Sequence, residues 1–323
     1  GTIWTADFTG MAAKVLITPT DGLTIAAFGV DSFEGPSGDG DAFDFGGANY
    51  GKTLADYQNN NNDQTAKETA WKNAVSNSNS YLYSKNMYGA AVLANFAGLD
   101  AQVWGAYWDK VATLYAVNLK YTLGLGGGNN AGVKVTYLGN SMSSDLKDKY
   151  QLNDKLGNGN LVDGRLFAKF SGLDARVGGI FFGDKKKATI NTLEDITGPD
   201  LYIGREMFYA DSTALVQSAG QSTYGYVGVG YTLPMDLRVG VQGVFGQTKF
   251  EGDFKDTKIE GVFELGYKVN KNLSFEGYYS YLNSKQKNGG YGKFGADGKV
   301  DDTAEPSDSQ NKQTVRLQAL YKF

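Results

Sequence analysis

Apolar and polar residues alternate over long stretches of this chain, and this alternation constrains the fold more than any other feature. In residues 258–269, Ile259 and Phe263 fall on one side of the pattern, whereas Glu260 and Glu264 fall on the other. Successive side chains of a β-strand point to opposite faces, so a period of two predicts strands with one apolar and one polar face. The same pattern recurs at residues 112–121, 164–171, 175–184, 237–246 and 314–323.

Tight turns connect many of these segments at one end, which predicts the hairpins of an antiparallel meander. The tight turns lie at residues 19–22, 97–100, 171–174, 233–236 and 270–272. Longer connections at the other end cover about residues 34–80, 141–161, 184–215 and 286–312. We predict strands at residues 11–18, 23–33, 81–96, 101–109, 111–124, 131–140, 164–171, 175–184, 222–233, 237–248, 257–269, 273–284 and 313–323.

A soluble β-sandwich would also alternate, but its strands average five or six residues. Many of the segments here reach ten residues, the length at which a tilted strand crosses a bilayer. Aromatic residues gather near their ends, as they do at membrane interfaces. Examples are Tyr107, Trp108, Tyr278, Tyr279 and Tyr281. Together with the two kinds of connection, these features predict an all-β fold.

The predicted fold is a transmembrane antiparallel β-barrel in the bacterial outer membrane, with short periplasmic turns and long extracellular loops. We expect residues 1–323 to form a single barrel domain. Single-chain bacterial barrels have an even number of strands, whereas about thirteen are visible here, or fourteen if residues 1–8 form another. The first predicted strand also runs toward the tight turns. We therefore expect an N-terminally incomplete copy of a barrel of about 16–18 strands.

The composition argues against several classes of function. The chain has no cysteine and no histidine, which removes thiolate sites, the usual general base and the commonest transition-metal ligand. An outer-membrane lipase or protease would need a nucleophile activated by a base, and that base is commonly histidine. Because the chain has no histidine, we do not expect an enzyme. The net charge of −4 argues against nucleic-acid binding. We expect no cofactor, with structural Ca²⁺ as the one possibility considered below.

The last residues, VRLQALYKF, have apolar side chains at every second position and end on an aromatic ring. This ending resembles the C-terminal strand that the outer-membrane assembly machinery recognises. The resemblance implies that this machinery is a partner, and that the terminal strand carries an assembly signal on its lipid-facing side. The residues assigned to that signal are Leu317, Ala319, Tyr321 and Phe323.

Three phrases carry a wider resemblance. They are GLDAQVWGAYW at 98–108, GLDARVGGIFFG at 172–183 and DLYIGREMF at 200–208. With the repeated hairpins, they resemble the substrate-specific porins of Gram-negative bacteria and are most similar to the major outer-membrane porins of the Campylobacter group. That family implies a barrel of about eighteen strands, often a homotrimer, which passes small hydrophilic solutes. Outer-membrane lipids and lipopolysaccharide would surround it.

In such a barrel the polar faces of the strands line the lumen, where charged residues attract or filter ions. The alternative is that these charges pair with their neighbours and brace the wall. The basic candidates are Lys14, Lys120, Lys134, Arg165, Lys169, Arg176, Arg238, Lys258 and Arg316. The acidic candidates on predicted strands are Glu260, Glu264 and Glu276.

The long segment 34–80 is predicted to be an extracellular loop with a short helix at about 65–76, where Thr65 and Glu68 form a capping box. One hypothesis is that this loop narrows the barrel mouth and brings acidic residues toward the basic wall. Packing on neighbouring loops is the alternative. The acidic residues are Asp31, Glu34, Asp39, Asp41 and Asp44.

The carboxylates of Asp39, Asp41 and Asp44 are spaced like oxygen ligands for Ca²⁺. The rest of the calcium-loop motif is missing, so a solvated acidic loop is the competing interpretation. For the whole chain, the sequence favours a passive diffusion channel for ions and small hydrophilic solutes. A non-channel outer-membrane barrel for adhesion or envelope anchoring is the alternative.

Overall fold

A computed structural model describes residues 12–31, 85–149, 153–154, 156–187, 189, 204–207, 220–250, 255–287 and 309–322. Within these described residues, thirteen antiparallel strands form a single sheet, and each strand pairs with the strand that precedes or follows it in sequence. The strands are β1 (Ala12–Thr20), β2 (Leu23–Val30), β3 (Met87–Phe96), β4 (Leu99–Trp108), β5 (Ala112–Gly126), β6 (Asn129–Met142), β7 (Asn160–Phe170), β8 (Leu173–Asp184), β9 (Gly220–Thr232), β10 (Leu237–Lys249), β11 (Lys255–Lys268), β12 (Leu273–Lys287) and β13 (Ser309–Tyr321).

The predicted all-β antiparallel meander is confirmed, with β1 and β13 at the two ends of the strand order. Tight turns follow β1, β3, β5, β7, β9 and β11, so they share one end of the sheet. Two of them place glycine at a φ of 86°, at Gly98 and Gly172. Only glycine adopts this conformation without strain, and the residue before each glycine also has positive φ, as in the hairpin turns that match strand twist.

The two faces of the sheet are inverted relative to those of a soluble protein. Phe245 and Ile259 are each 56% exposed, whereas Glu260 is 0% and Lys258 is 3% exposed. No second sheet or long helix covers the polar face within the described residues, and the side chains there contact one another and residues 204–207. The apolar face outside and the polar face inside are those of a membrane barrel.

A short helix, α1 (Ser144–Lys149), follows β6. It begins after Ser143, whose Oγ accepts a hydrogen bond from the Asp145 amide at 3.1 Å, as in an N-cap. No helix in the described part of the chain is long and apolar enough to cross a membrane. The helix predicted at 65–76, with most of the 34–80 loop, lies outside the described residues.

The prediction that aromatic residues near strand ends lie at the membrane interface is partly wrong. Tyr107, Tyr279 and Tyr281 are exposed on the outer face, but Trp108 is 1% exposed and points inward. Tyr278 also points inward, where it hydrogen-bonds Glu206. Adjacent residues of a strand point to opposite faces, so the neighbour of an outward tyrosine necessarily faces the interior.

Placing a charge on the outer face should destabilise the barrel. We expect Val241→Arg, at a position 55% exposed on β10, to lower the free energy of unfolding by about 2–4 kcal/mol in lipid. The measurement is urea unfolding of the protein refolded into vesicles. Thr314→Arg, on the inner face of β13, is the matched control. An equal loss in both variants would contradict the assignment of the faces.

Candidate functional site

The Glu260 carboxylate on β11 binds a chain segment that enters from the connection between β8 and β9. The amide N–H groups of Arg205 and Glu206 donate to its Oε1 at 2.8 and 2.9 Å. The amide of Met207 donates to Oε2 at 3.0 Å. Three successive N–H groups that converge on one carboxylate form a concave anion site, here filled by the protein itself. We call residues 204–207 the inner segment.

Two further contacts make this anchor tight. Ser280 Oγ on β12 donates to Glu260 Oε1 at 2.8 Å, so the carboxylate accepts four hydrogen bonds in a fully buried position. Gly204 has a φ of 71°, and a Cβ atom there would collide with the same carboxylate. A buried charge is stable when it is hydrogen-bonded in this way, and it then fixes the backbone around it.

The side chains of the inner segment bind the same wall. The Arg205 guanidinium contacts Glu264 Oε1 through Nε at 2.9 Å and through a terminal nitrogen at 2.7 Å. It also lies over the Tyr278 ring, 5.2 Å from the centroid. Glu206 accepts a hydrogen bond from the Tyr278 hydroxyl at 2.7 Å and pairs with Lys312 Nζ at 3.1 Å. The segment thus joins β11, β12 and β13.

Met207 adds an apolar contact to these polar ones. It is fully buried in a cluster supplied by the inner faces of β7–β10 and β12. Burying a methionine contributes on the order of 2 kcal/mol relative to exposure, so the segment is held by both charge and packing. The other buried members of the cluster are Leu161, Ile180, Phe182, Tyr224, Tyr226, Val244 and Leu282.

A second charged network lies nearer the tight turns. Arg238 donates to the two Asp174 oxygens at 2.7 and 3.3 Å and lies 3.5 Å from Glu264 Oε2. Arg176 donates to Gln242 at 3.2 Å, and Gln242 donates to Glu264 at 2.7 Å. Glu264 therefore connects this network to the inner segment.

Glycines on the inner face leave room for these arginines. A Cβ atom at Gly228 would occupy the space of the Arg176 side chain. Cβ atoms at Gly230 or Gly240 would overlap the guanidinium of Arg238. The arginines can lie flat on the wall because β9 and β10 carry no side chain at these three positions.

A row of three basic residues crosses the neighbouring strands. Lys120 on β5 is directly opposite Lys134 on β6, which is directly opposite Arg165 on β7. Adjacent like charges are destabilising unless they are compensated. Asp163 lies 3.4 Å from Arg165 and is itself hydrogen-bonded by Tyr226 at 2.6 Å.

The remaining predicted residues are more dispersed. Lys14 and Glu276 are exposed on β1 and β12, and Lys169 is exposed opposite Asp174. Arg316 is exposed on β13 directly opposite Tyr278, and Asp31 is exposed after β2. The outer face of β13 carries Leu317, Ala319 and Tyr321. Outside the described residues lie Glu34, Asp39, Asp41, Asp44 and Phe323.

The sequence analysis did not assign several residues that the structure brings into these networks. Alternation alone could have found the strand residues, because each lies two or four positions from an assigned charge. The inner segment gave no such signal, since it belongs to no strand. The missed residues are Asp163, Asp174, Arg205, Glu206, Met207, Gln242, Tyr278, Ser280 and Lys312.

Comparison with known proteins identifies the family. The model of the Campylobacter major outer membrane protein family matches residues 1–323. The chain belongs to this family. It is an outer-membrane porin, which confirms the family resemblance and the outer-membrane location inferred from sequence. No curated protein matches the chain.

Solved structures support the barrel fold of this porin. It is similar to OccAB1 of Acinetobacter baumannii, with 9% sequence identity, a TM-score of 0.56 and coverage of 97% of this chain and 68% of that one. For OpdK of Pseudomonas aeruginosa the values are 12%, 0.56, 97% and 69%. For OccAB3 of Acinetobacter baumannii they are 8%, 0.54, 95% and 67%. At these identities the likeness describes the fold.

Removing the Glu260 carboxylate from this porin should release the inner segment. We expect Glu260→Ala to accelerate hydrogen exchange at the amides of residues 205–207 by about 10- to 100-fold, because each loses a bond worth about 1–3 kcal/mol when buried. Exchange mass spectrometry measures this. Glu276→Ala, at an exposed position of β12, should leave these amides protected. Unchanged exchange in the Glu260 variant would contradict the anchoring role.

Proposed function

We propose that ions and small hydrophilic solutes diffuse passively along the polar inner face of this porin and that the inner segment narrows their path. The observation that carries this proposal is the inner segment itself, fixed inside the sheet by the Glu260 carboxylate. A segment anchored there reduces the cross-section of an aqueous passage. It also presents the charge of Arg205, whose side chain is 31% exposed, to whatever passes.

The two roles considered for the lumen charges divide according to exposure. Arg238 and Asp174 are 34% and 37% exposed, so permeant ions can reach them. Glu260 and Lys258 are almost completely buried and have partners in the wall. We assign direct contact with solutes to the first group and bracing of the wall to the second.

The arrangement of charges supports a transverse field across the passage. The carboxylates of Glu264 on β11 and of Glu206 on the inner segment, with their basic partners, belong to one part of the interior, whereas the row of Lys120, Lys134 and Arg165 belongs to β5–β7. Opposed charges of this kind orient dipolar solutes and filter ions by sign. This field would act in addition to the narrowing by the inner segment.

The alternative is a non-channel barrel for adhesion or envelope anchoring. The observation that favours it is the apolar cluster around Met207, because packed apolar side chains exclude water from their part of the interior. We prefer the channel because the inner faces of β5–β7 and β10–β12 carry so many charged and amide groups.

We also propose that three copies associate and that the assembly machinery recognises β13. The support for the second proposal is the outer face of that strand, where Leu317 is 84% exposed.

Calcium binding by Asp39, Asp41 and Asp44 stays a proposal as well. It predicts that a chelator lowers the thermal stability of the wild type and not that of an Asp39→Asn, Asp41→Asn variant.

Planar-bilayer recording tests the proposed function directly. We expect stepwise, ohmic conductance from the purified protein, because a water-filled passage admits ions without gating energy. A silent membrane would contradict the channel and favour the anchoring alternative.

Deletion of residues 60–78 should raise the conductance if the long loop narrows the mouth of the barrel. Unchanged conductance would exclude that role.

Charge substitutions in the narrow region should shift ion selectivity in opposite directions. We expect Asp174→Asn to move the reversal potential in a salt gradient toward anion preference, because a negative charge is lost from the path. Arg238→Gln should move it toward cation preference. Lys271→Gln, in the turn after β11, is the control and should have little effect. Shifts of the same sign in both charge variants would contradict the assignment.

A further inference from the structure

Three lysines lie together on the outer face at the long-loop end of β10, β11 and β12. Lys249 and Lys255 are directly opposite each other across β10 and β11. Lys285 is opposite Thr257, two pairs from the Lys255–Lys287 pair of β11 and β12, and is therefore diagonal to Lys255. All three are an even number of residues from exposed apolar positions of the same strands, so they share the outward side. We call them the lysine patch.

The patch has no described acidic neighbour on its own face. Directly opposed like charges are destabilising, so Lys249 and Lys255 do not stabilise the hairpin. The nearby carboxylate, Asp256, points inward, where it pairs with Lys258 at 3.5 Å and accepts a hydrogen bond from Ser284 at 2.9 Å. Among the residues whose side chains the structure describes, the other outward positions at this end of β9–β13 include Gln221, Thr223, Gln247, Thr257, Asn283, Ser309 and Asn311.

The outer face changes its chemistry in a fixed order toward the patch. Phe245 and Ile259 lie four residues from Lys249 and Lys255 along their strands, about 13 Å at 3.3 Å per residue. Between these levels, Tyr281 donates to Asn311 at 2.9 Å, and Asn283 donates to the same amide at 2.7 Å. Acyl-facing rings are thus followed by phenols, amides and finally ammonium groups.

This order matches one class of molecule. A phosphorylated glycolipid carries acyl chains, then sugar hydroxyl and amide groups, and then phosphates at its polar boundary. The long-loop end of a bacterial barrel faces outward, so the patch lies at the level of the outer leaflet. On β5–β7 the outward strand positions at this end are uncharged, for example Thr113, Ser141 and Asn160, although the exposed Lys185 and Lys186 follow β8. Among the outward strand positions compared at this end, the lysines are therefore those of β10–β12.

We propose that the lysine patch binds the phosphate groups of a phosphorylated glycolipid of the outer leaflet, the lipid A part of lipopolysaccharide. The acyl chains then lie against the apolar band below, and the amide belt contacts the sugars. Each ammonium group near an anionic lipid surface contributes about 1 kcal/mol, so three act together as a specific anchor. This site is separate from the inner segment and does not depend on which solutes pass.

The test is binding of purified diphosphorylated lipid A to the folded, detergent-solubilised porin, followed by native mass spectrometry. We expect the triple variant Lys249→Gln, Lys255→Gln, Lys285→Gln to bind about 100-fold more weakly, the loss expected for three such contacts. The corresponding Lys→Arg triple variant should retain binding, because it keeps the charge. Dephosphorylated lipid A should bind the wild type as weakly as diphosphorylated lipid A binds the Gln variant.

The matched control removes the same charge at the opposite end, by Lys268→Gln, Lys271→Gln and Lys322→Gln, all exposed near the tight turns. Equal weakening in this control, or full binding by the Lys249/Lys255/Lys285 Gln variant, would overturn the proposal. Competition by inorganic phosphate at the concentration of the lipid would assign the patch to free anions instead. Single-channel conductance of the Gln variant should be unchanged, so the outcome is distinguishable from a failure of the channel.

Discussion

The structure depends on the backbone hydrogen bonds between strands, because a bilayer offers no water to satisfy unpaired N–H and C=O groups. The described strands meet this constraint in one antiparallel order, in which β2 to β12 pair on both sides and β1 and β13 pair on one. Once the backbone is satisfied in this way, the side chains are free to differ between the faces. Apolar residues can cover the lipid side while charged residues occupy the interior, where they bind one another.

On the inner face of this sheet, Glu260 is the residue that binds the inner segment and so creates the candidate site. Its carboxylate is satisfied by backbone amides of a distant segment rather than by another strand residue, so the interior acquires a fixed feature that the sheet cannot supply. Glu264 then connects this feature to Arg205 on one side and to Arg238 on the other. The charges around the inner segment thus form one connected system rather than isolated pairs.

Much of this could be predicted from the sequence, since alternation depends only on neighbouring residues. It placed Ile259 and Glu260 on opposite faces and located all thirteen described strands, with the largest difference at the start of β3, which was predicted at residue 81 and begins at Met87. The prediction failed where two adjacent aromatic residues were both assigned to the membrane interface, as for Trp108 beside Tyr107. It could not predict the inner segment, because four residues outside any strand carry no period. Their position is set by a carboxylate 53 to 55 residues away in the chain.

The glycines behind the arginines affect how the width of such a passage can differ between related proteins. Gly228, Gly230 and Gly240 have no side chains and so leave space in the wall that Arg176 and Arg238 occupy. One added methyl group in this space would push a guanidinium toward the axis, without altering any residue that a solute meets. A substitution at one of these glycines can therefore change the width of the passage. Two relatives with identical pore-lining residues could then differ in pore width.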